Sequence, residues 1–186
     1  MTGGRPGTVV CHGWTIYAHP LFLAQLTALV VEVEAQKSKD ATGYLGKNAT
    51  KRLAALLQLG FEKIPQNPAG SEYEQGGTLG AEYKHWRRAK FFQQYRLFFR
   101  FHSRSKTIVL AWVNDDDTLR SFESKDDAYR TFRKLLNSGN PPDSWEELLK
   151  ASQSGDTTLA KLTPKAAAPA AKVDRRLKTK KPPKPH

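Results

Sequence analysis

Apolar positions along this chain change their period twice, and the changes mark out its elements. From residue 20, Phe22, Leu26, Leu29, Val30 and Val33 recur at helical spacing, with Pro20 where a first turn tolerates it, so a helix is predicted over 20–38. A second helical pattern runs from Asn48 through Leu53, Leu56, Leu57, Phe61 and Ile64, and the stretch from Pro65 to Gly70 ends it. The short linker between them suggests an antiparallel pair. After a Gly-rich connection at 76–80 the period becomes two: 84–92, 95–102 and 107–113 are rich in aromatic and β-branched residues and predict three consecutive antiparallel strands. In the third, Ile108, Leu110 and Trp112 alternate with Val109, Ala111 and Val113, so both faces are apolar and the strand belongs in the middle of a sheet covered by helices.

Residues 118–122 suggest a short further strand. Ala128, Tyr129, Phe132, Leu135 and Leu136 return to helical spacing over 125–138, and Gly139 stops them before Pro141-Pro142. A last helix is predicted over 143–151, capped by Asp143 or Ser144. Residues 1–13 carry Gly and no apolar period and read as a loose arm. Beyond Ser152 the chain turns to Ala, Pro and Lys, too poor in large apolar residues to offset ordering entropy, and 153–186 reads as a disordered basic tail. The expected organisation is one α+β domain over 14–152 with an appendage at each end.

Composition narrows the class. No stretch approaches the roughly 18 uninterrupted apolar residues of a membrane span, and the opening Met1-Thr2-Gly3-Gly4 lacks the apolar run of a signal peptide, so a cytoplasmic protein is expected. The single cysteine, Cys11, excludes an intramolecular disulfide. The formal net charge of +12 is concentrated. Residues 161–186 hold nine Lys or Arg against Asp174, and residues 80–106 hold eight against Glu82, which leaves the rest of the chain at about −3. A phosphate-bearing partner is therefore sought at 80–106.

Within that window Arg96, Phe98 and Arg100 share one strand face and Tyr95, Leu97, Phe99 and Phe101 the other, while Trp86, Arg88 and Lys90 share a face of the preceding strand. If the strands pair with these faces matched, Arg88, Lys90, Arg96 and Arg100 form a cationic patch with Trp86 and Phe98 among the charges. Guanidinium forks hold phosphates and rings stack on unpaired bases, which together describe a surface for single-stranded RNA. Outward arginines also commonly do no more than blunt a sheet edge. From spacing the two readings weigh the same, and the acidic remainder of the chain favours the first.

Other chemistry finds less support. The histidines, His12, His19, His85, His102 and His186, show no close-spaced ligand motif, Asp115-Asp116-Asp117 reads as a turn, and Gly76 to Gly80 lacks the Lys-Ser/Thr ending of a phosphate-binding loop. RNA needs no metal or cofactor to be cut, because its 2′-hydroxyl is the nucleophile. A base, an acid and cations around the phosphate suffice. Lys90, Tyr95, His85 or His102 could move the protons, and spacing does not rank them.

Six blocks carry a resemblance: Trp14-x-x-Tyr17-Ala18-His19-Pro20, Trp86-x-Arg88-x-Lys90-Phe91, Tyr95 to Arg100, Ile108 to Asp115, Thr118-Leu119-Arg120 and Gly139-x-Pro141-Pro142-x-x-Trp145. In this order they resemble the YhaV family of type II toxins, over about residues 13–150. The resemblance implies a RelE-like fold, with two N-terminal helices on a curved antiparallel sheet and C-terminal helices. It also implies cleavage of mRNA, commonly on the translating ribosome, with Arg88 foremost and then Arg96, Arg100, Lys90 and Tyr95 at the catalytic centre. Trp86, Arg87, Phe98, His85, His102 and Lys84 are the expected RNA contacts. The implied partner is a PrlF-type antitoxin with an AbrB-like swapped-hairpin domain, the pair binding its own operator DNA; Phe22, Leu26, Leu29, Trp145 and Leu148 are candidates for burial against it. The long tail departs from the family's pattern. A noncatalytic RNA-binding protein, or a DNA-binding corepressor acting with the antitoxin, would use the same basic face without cutting.

Overall fold

A computed structural model describes residues 8–115 and 127–166. Strand β1 (Val9–Cys11) turns through His12 and Gly13, both at positive φ, into β2 (Trp14–Ala18), a two-residue hairpin whose closing pair is Cys11 and Trp14. The loose arm expected up to residue 13 is thus corrected over its last residues, where Val9 to Cys11 form a sheet edge. The predicted pair of helices follows this hairpin and is not N-terminal.

Helix α1 (Pro20–Lys39) starts at His19, whose imidazole accepts the Leu21 N–H, with Pro20 in the first turn. Helix α2 (Asn48–Gln58) runs on through a π-helical turn, Leu59–Lys63, and a last turn, Ile64–Gln66. Gly60 lies in that π turn against the sheet, where an added Cβ would stand 3.0 Å from Leu110 Cδ1.

The sheet continues with β3 (Arg87–Phe91), β4 (Tyr95–His102) and β5 (Thr107–Val113), the three strands predicted. The order is β1-β2-β5-β4-β3, and β5 is buried along its whole length, as its two apolar faces require. The sheet is mixed, because β2 lies parallel to β5, with Ala18 opposite Leu110 and the His19 N–H donated to the Leu110 carbonyl at 2.9 Å. That corrects the wholly antiparallel sheet.

One face of the sheet packs under α1 and α2 through Ile16, Leu97, Phe99, Ile108 and Leu110. Helices α3 (Asp127–Asn137) and α4 (Trp145–Gln153) cover the other through Tyr129, Phe132, Leu136 and Leu148 on Trp86, Phe98, Val109 and Trp112. Ser144 caps α4, its hydroxyl accepting the Glu147 N–H. A fifth helix, α5 (Asp156–Ala166), corrects the start of the expected disordered tail: Leu159 is 1 % exposed in the core beneath α1 and α2. One buried leucine and a helical turn anchored on it are enough to order a segment that composition alone marks as tail. The strand expected at 118–122 lies outside the described residues.

Candidate active site

The strand register pairs Arg88 with Phe98 and Lys90 with Arg96, so the predicted faces do match. The face is not open, however. Phe98 and Trp86 are fully buried, Phe98 stacked on Phe132 at 4.2 Å between ring centroids and Trp86 edge-on to Phe132 at 5.0 Å. Neither ring is a platform for a base; both hold α3 on the sheet. Arg88 is similarly engaged: its Nε donates to the Tyr129 hydroxyl at 2.7 Å and its Nη1 to the Glu72 carbonyl at 3.0 Å.

Arg96 is 7 % exposed and folds back on its own hairpin, donating to the carbonyls of Gln93 and Tyr95. Lys90 stands exposed beyond it. The three arginines of the expected patch are therefore divided among separate partners and Lys90 stands apart from them, because α3 covers the strand face that alternation assigns to the four. Tyr95 points through to the opposite side, 1 % exposed, stacked on Phe91 with the Arg52 guanidinium 5.0 Å above its ring. There it lines a cavity of about 520 Å³ with Gln25, Glu32 and Asp115. A whole sheet separates it from Arg88 and Arg100.

What the fold does assemble is a cluster at the mouth of the α3–α4 face. His85 enters β3 from a 3₁₀ turn, Ala81–Tyr83; Arg100 and His102 lie at the end of β4; and Asp143 and Trp145 bracket the start of α4. Asp143 organises it. One carboxylate oxygen accepts from Trp86 Nε1 at 2.8 Å and stands 2.6 Å from His85 Nε2. A carboxylate only accepts, so this contact places the His85 proton on Nε2 and leaves Nδ1 with a lone pair. Arg100 lies over the Trp86 and Trp145 rings, 5.6 and 5.5 Å from their centroids, and donates to the Asp143 carbonyl.

Burial lowers the Arg100 pKa from its ordinary value, and the charges of Asp143 and Glu146 oppose the shift. The guanidinium remains a cation in a partly dry setting where its charge acts strongly. His102 stacks on Trp145 at 5.5 Å, and its Nδ1 accepts the Ser105 N–H at 3.3 Å, so its Nε2 carries the proton. The side chains of His85 and Asp143 are 37 % and 42 % exposed, open enough for a substrate to reach.

Of the predicted residues, the structure brings together His85, Trp86, Arg100, His102 and Trp145. Asp143 carried no sequence signal as a site residue beyond its place in the Gly139 to Trp145 block. Lys84 and Arg87 line a separate notch at the β3 edge with Glu74 to Gly77. The residues expected against an antitoxin fare differently: Phe22, Leu26 and Leu148 are fully buried, Leu29 is 6 % exposed, and only Trp145 reaches the surface, half-buried. The first four are spent on the chain's own core.

An imidazole oriented by a carboxylate, beside a retained guanidinium and a second imidazole, is equipment for proton transfer on an anionic substrate. The comparisons with known proteins agree with that class. Residues 16–153 match the family model described as a toxin with endonuclease activity, of a toxin-antitoxin system. The toxin YhaV of Escherichia coli O6:H1 and the ribonuclease toxin YhaV of Escherichia coli K12 are each 44 % identical over 144 residues, covering 76 % of this chain and 94 % of theirs. This chain belongs to the YhaV toxin family. No solved structure matches it.

Proposed function

We propose that this chain is the RNA-cleaving toxin of a type II toxin-antitoxin pair and that its chemistry is done at the His85, Arg100 and His102 cluster. The observation that carries the reading is the His85–Asp143 contact beside the half-buried Arg100, in a chain whose family is described by endonuclease activity. His85 Nδ1 takes the proton of the 2′-hydroxyl as its oxygen attacks phosphorus. The P–O5′ bond breaks, leaving a 2′,3′-cyclic phosphate on one fragment and a 5′-hydroxyl on the other. Arg100 stabilises the charge that grows on the phosphate oxygens, His102 Nε2–H donates a hydrogen bond to the departing 5′-oxygen, and water supplies that oxygen's proton, the hydroxide it leaves taking the proton back from His85.

The substrate is mRNA, cut fastest on the translating ribosome, and a PrlF-type antitoxin with an AbrB-like swapped-hairpin domain neutralises the toxin and joins it on operator DNA. Support for these finer points comes from the resemblance and from the concentration of positive charge at 80–106 and 161–186. No described helix is long and apolar enough to cross a membrane. The experiment is cleavage of an end-labelled oligoribonucleotide that also carries a single 2′-deoxy substitution at the mapped site. A cyclic phosphate product that disappears with the 2′-deoxy substitution and in His85→Ala is expected; cleavage of the 2′-deoxy substrate would refute the mechanism.

A further inference from the structure

Beyond the cluster just described, the edge of the sheet holds a second cationic feature. The loop from Glu74 to Gly77 and the residues Lys84 and Arg87 enclose a notch of about 420 Å³ along β3, the outermost strand. Its walls are fixed. Buried Gln75 donates to the Tyr83 carbonyl at 3.0 Å and accepts the Leu79 N–H at 3.2 Å, clamping both ends of the glycine-rich turn. Glu74 also bridges Arg87 through the backbone, so loop and strand move as one piece.

The Arg87 guanidinium is backed by the Phe101 ring at 5.6 Å, and its buried Nη1 has no hydrogen-bond partner among the described residues, its ion pair with Glu74 being long at 3.4 Å. A held arginine with an unmade hydrogen bond is prepared for an anion. Lys84, exposed, adds a second charge, and Gly77 is open enough that an added Cβ would meet nothing within 4 Å.

Position supplies the ligand's identity. Lys84 immediately precedes His85, while strand alternation turns Arg87 to the sheet face opposite Trp86 and Arg88. A chain leaving the His85 site around the β3 edge therefore passes over this notch. We infer that the notch binds a phosphodiester of the RNA substrate flanking the cut, with Arg87 and Lys84 as its cations and Glu74 as the carboxylate the phosphate displaces. The inference rests on the RNA-cleaving reading given above.

The test uses the full chain and oligoribonucleotides in which one flanking phosphate at a time is replaced by an uncharged methylphosphonate. One position is expected to raise KM about tenfold in the unmodified protein, the scale of one charge-assisted contact. Lys84→Gln and Gly77→Asp are expected to raise KM for the all-phosphate substrate several-fold with kcat unchanged, and Arg87→Gln to make the methylphosphonate at that position harmless. Glu74→Gln is expected to lower KM, which a purely structural Arg87–Glu74 contact would not do.

The proposal is overturned if Lys84→Gln and Gly77→Asp leave KM unchanged, or if the methylphosphonate penalty persists in Arg87→Gln. Failure of the RNA-cleaving reading looks different: the unmodified protein cuts nothing. Equilibrium binding of the same oligonucleotides as 2′-O-methyl RNA then decides the notch separately, the methylphosphonate penalty and its loss in Arg87→Gln supporting it and their absence overturning it.

Discussion

Replacing Asp143 by asparagine isolates the charge at the centre of the site. The amide keeps the size of the carboxylate, and its oxygen can still accept from Trp86 Nε1 and His85 Nε2, now at 2.8 and 2.6 Å, so the geometry and the His85 tautomer survive. What disappears is the negative charge beside the imidazolium that forms when His85 takes a proton. Two unit charges about 4 Å apart attract by about 1 kcal/mol in water and about 4 kcal/mol near a protein surface. With side chains 37 % and 42 % exposed, the loss falls between these, at about 2–3 kcal/mol. That corresponds to a fall in kcat of about 30- to 150-fold with KM nearly unchanged, because the charge matters in the transition state and not in the bound substrate. Single-turnover cleavage at saturating RNA reads kcat, and circular dichroism on heating checks that the fold is intact. A variant within threefold of the unmodified protein, in a background where His85→Ala is inactive, would refute the role given to the carboxylate.

Other consequences follow from the packing. Phe132→Ala removes the ring shared by Trp86, Phe98 and Trp112 and should cost about 3–5 kcal/mol in urea unfolding, with Trp86, the ring under Arg100, loosened. Burial holds His19 neutral, lowering its pKa to about 4 from 6.5. The unfolded chain therefore binds a proton that the folded chain refuses, and stability is lost as pH falls from about 6.5 to 4, by on the order of 2 kcal/mol after allowance for solvent screening. Urea midpoints for His19→Asn, which keeps a capping oxygen, should show a weaker pH dependence across that window. Deleting residues 156–186 exposes the cavity left by Leu159 and should cost about 2–4 kcal/mol, whereas deleting 167–186 should leave the urea midpoint in place and weaken RNA binding most at low salt.

Much of this fold was legible because its periodic segments are long. Helices α1, α2 and α3 and strands β3 to β5 each carry enough turns or alternations to declare their type, and β5 declared its central place through two apolar faces. The hairpin of β1 and β2 was not legible. Three and five residues give no period to read, His12-Gly13 is an unusual turn pair, and the parallel contact of β2 with β5 joins positions more than ninety residues apart. The candidate site was read in part for a related reason. Alternation put Arg88, Arg96 and Arg100 on the right face, but nothing local says that α3 covers it, that Phe98 fills its centre, or that each arginine is turned aside to its own partners at the rim. His85 and His102 were visible only as candidates. Their partners, Asp143 and Trp145, lie 58 and 43 residues further on, and the chain folds back through α3 to deliver them.

The central claim is that the His85, Arg100 and His102 cluster cuts RNA, and primer extension on a reporter mRNA tests it most directly. The purified full chain, His85→Ala, Arg100→Ala and Lys90→Ala would each be incubated with the mRNA, with and without translating ribosomes. Discrete cuts that become more frequent with translating ribosomes, persist in Lys90→Ala and vanish in folded His85→Ala and Arg100→Ala are the expected result. Cuts that survive in His85→Ala and are lost in Lys90→Ala would contradict the account and return the chemistry to the turn end of the β3–β4 hairpin.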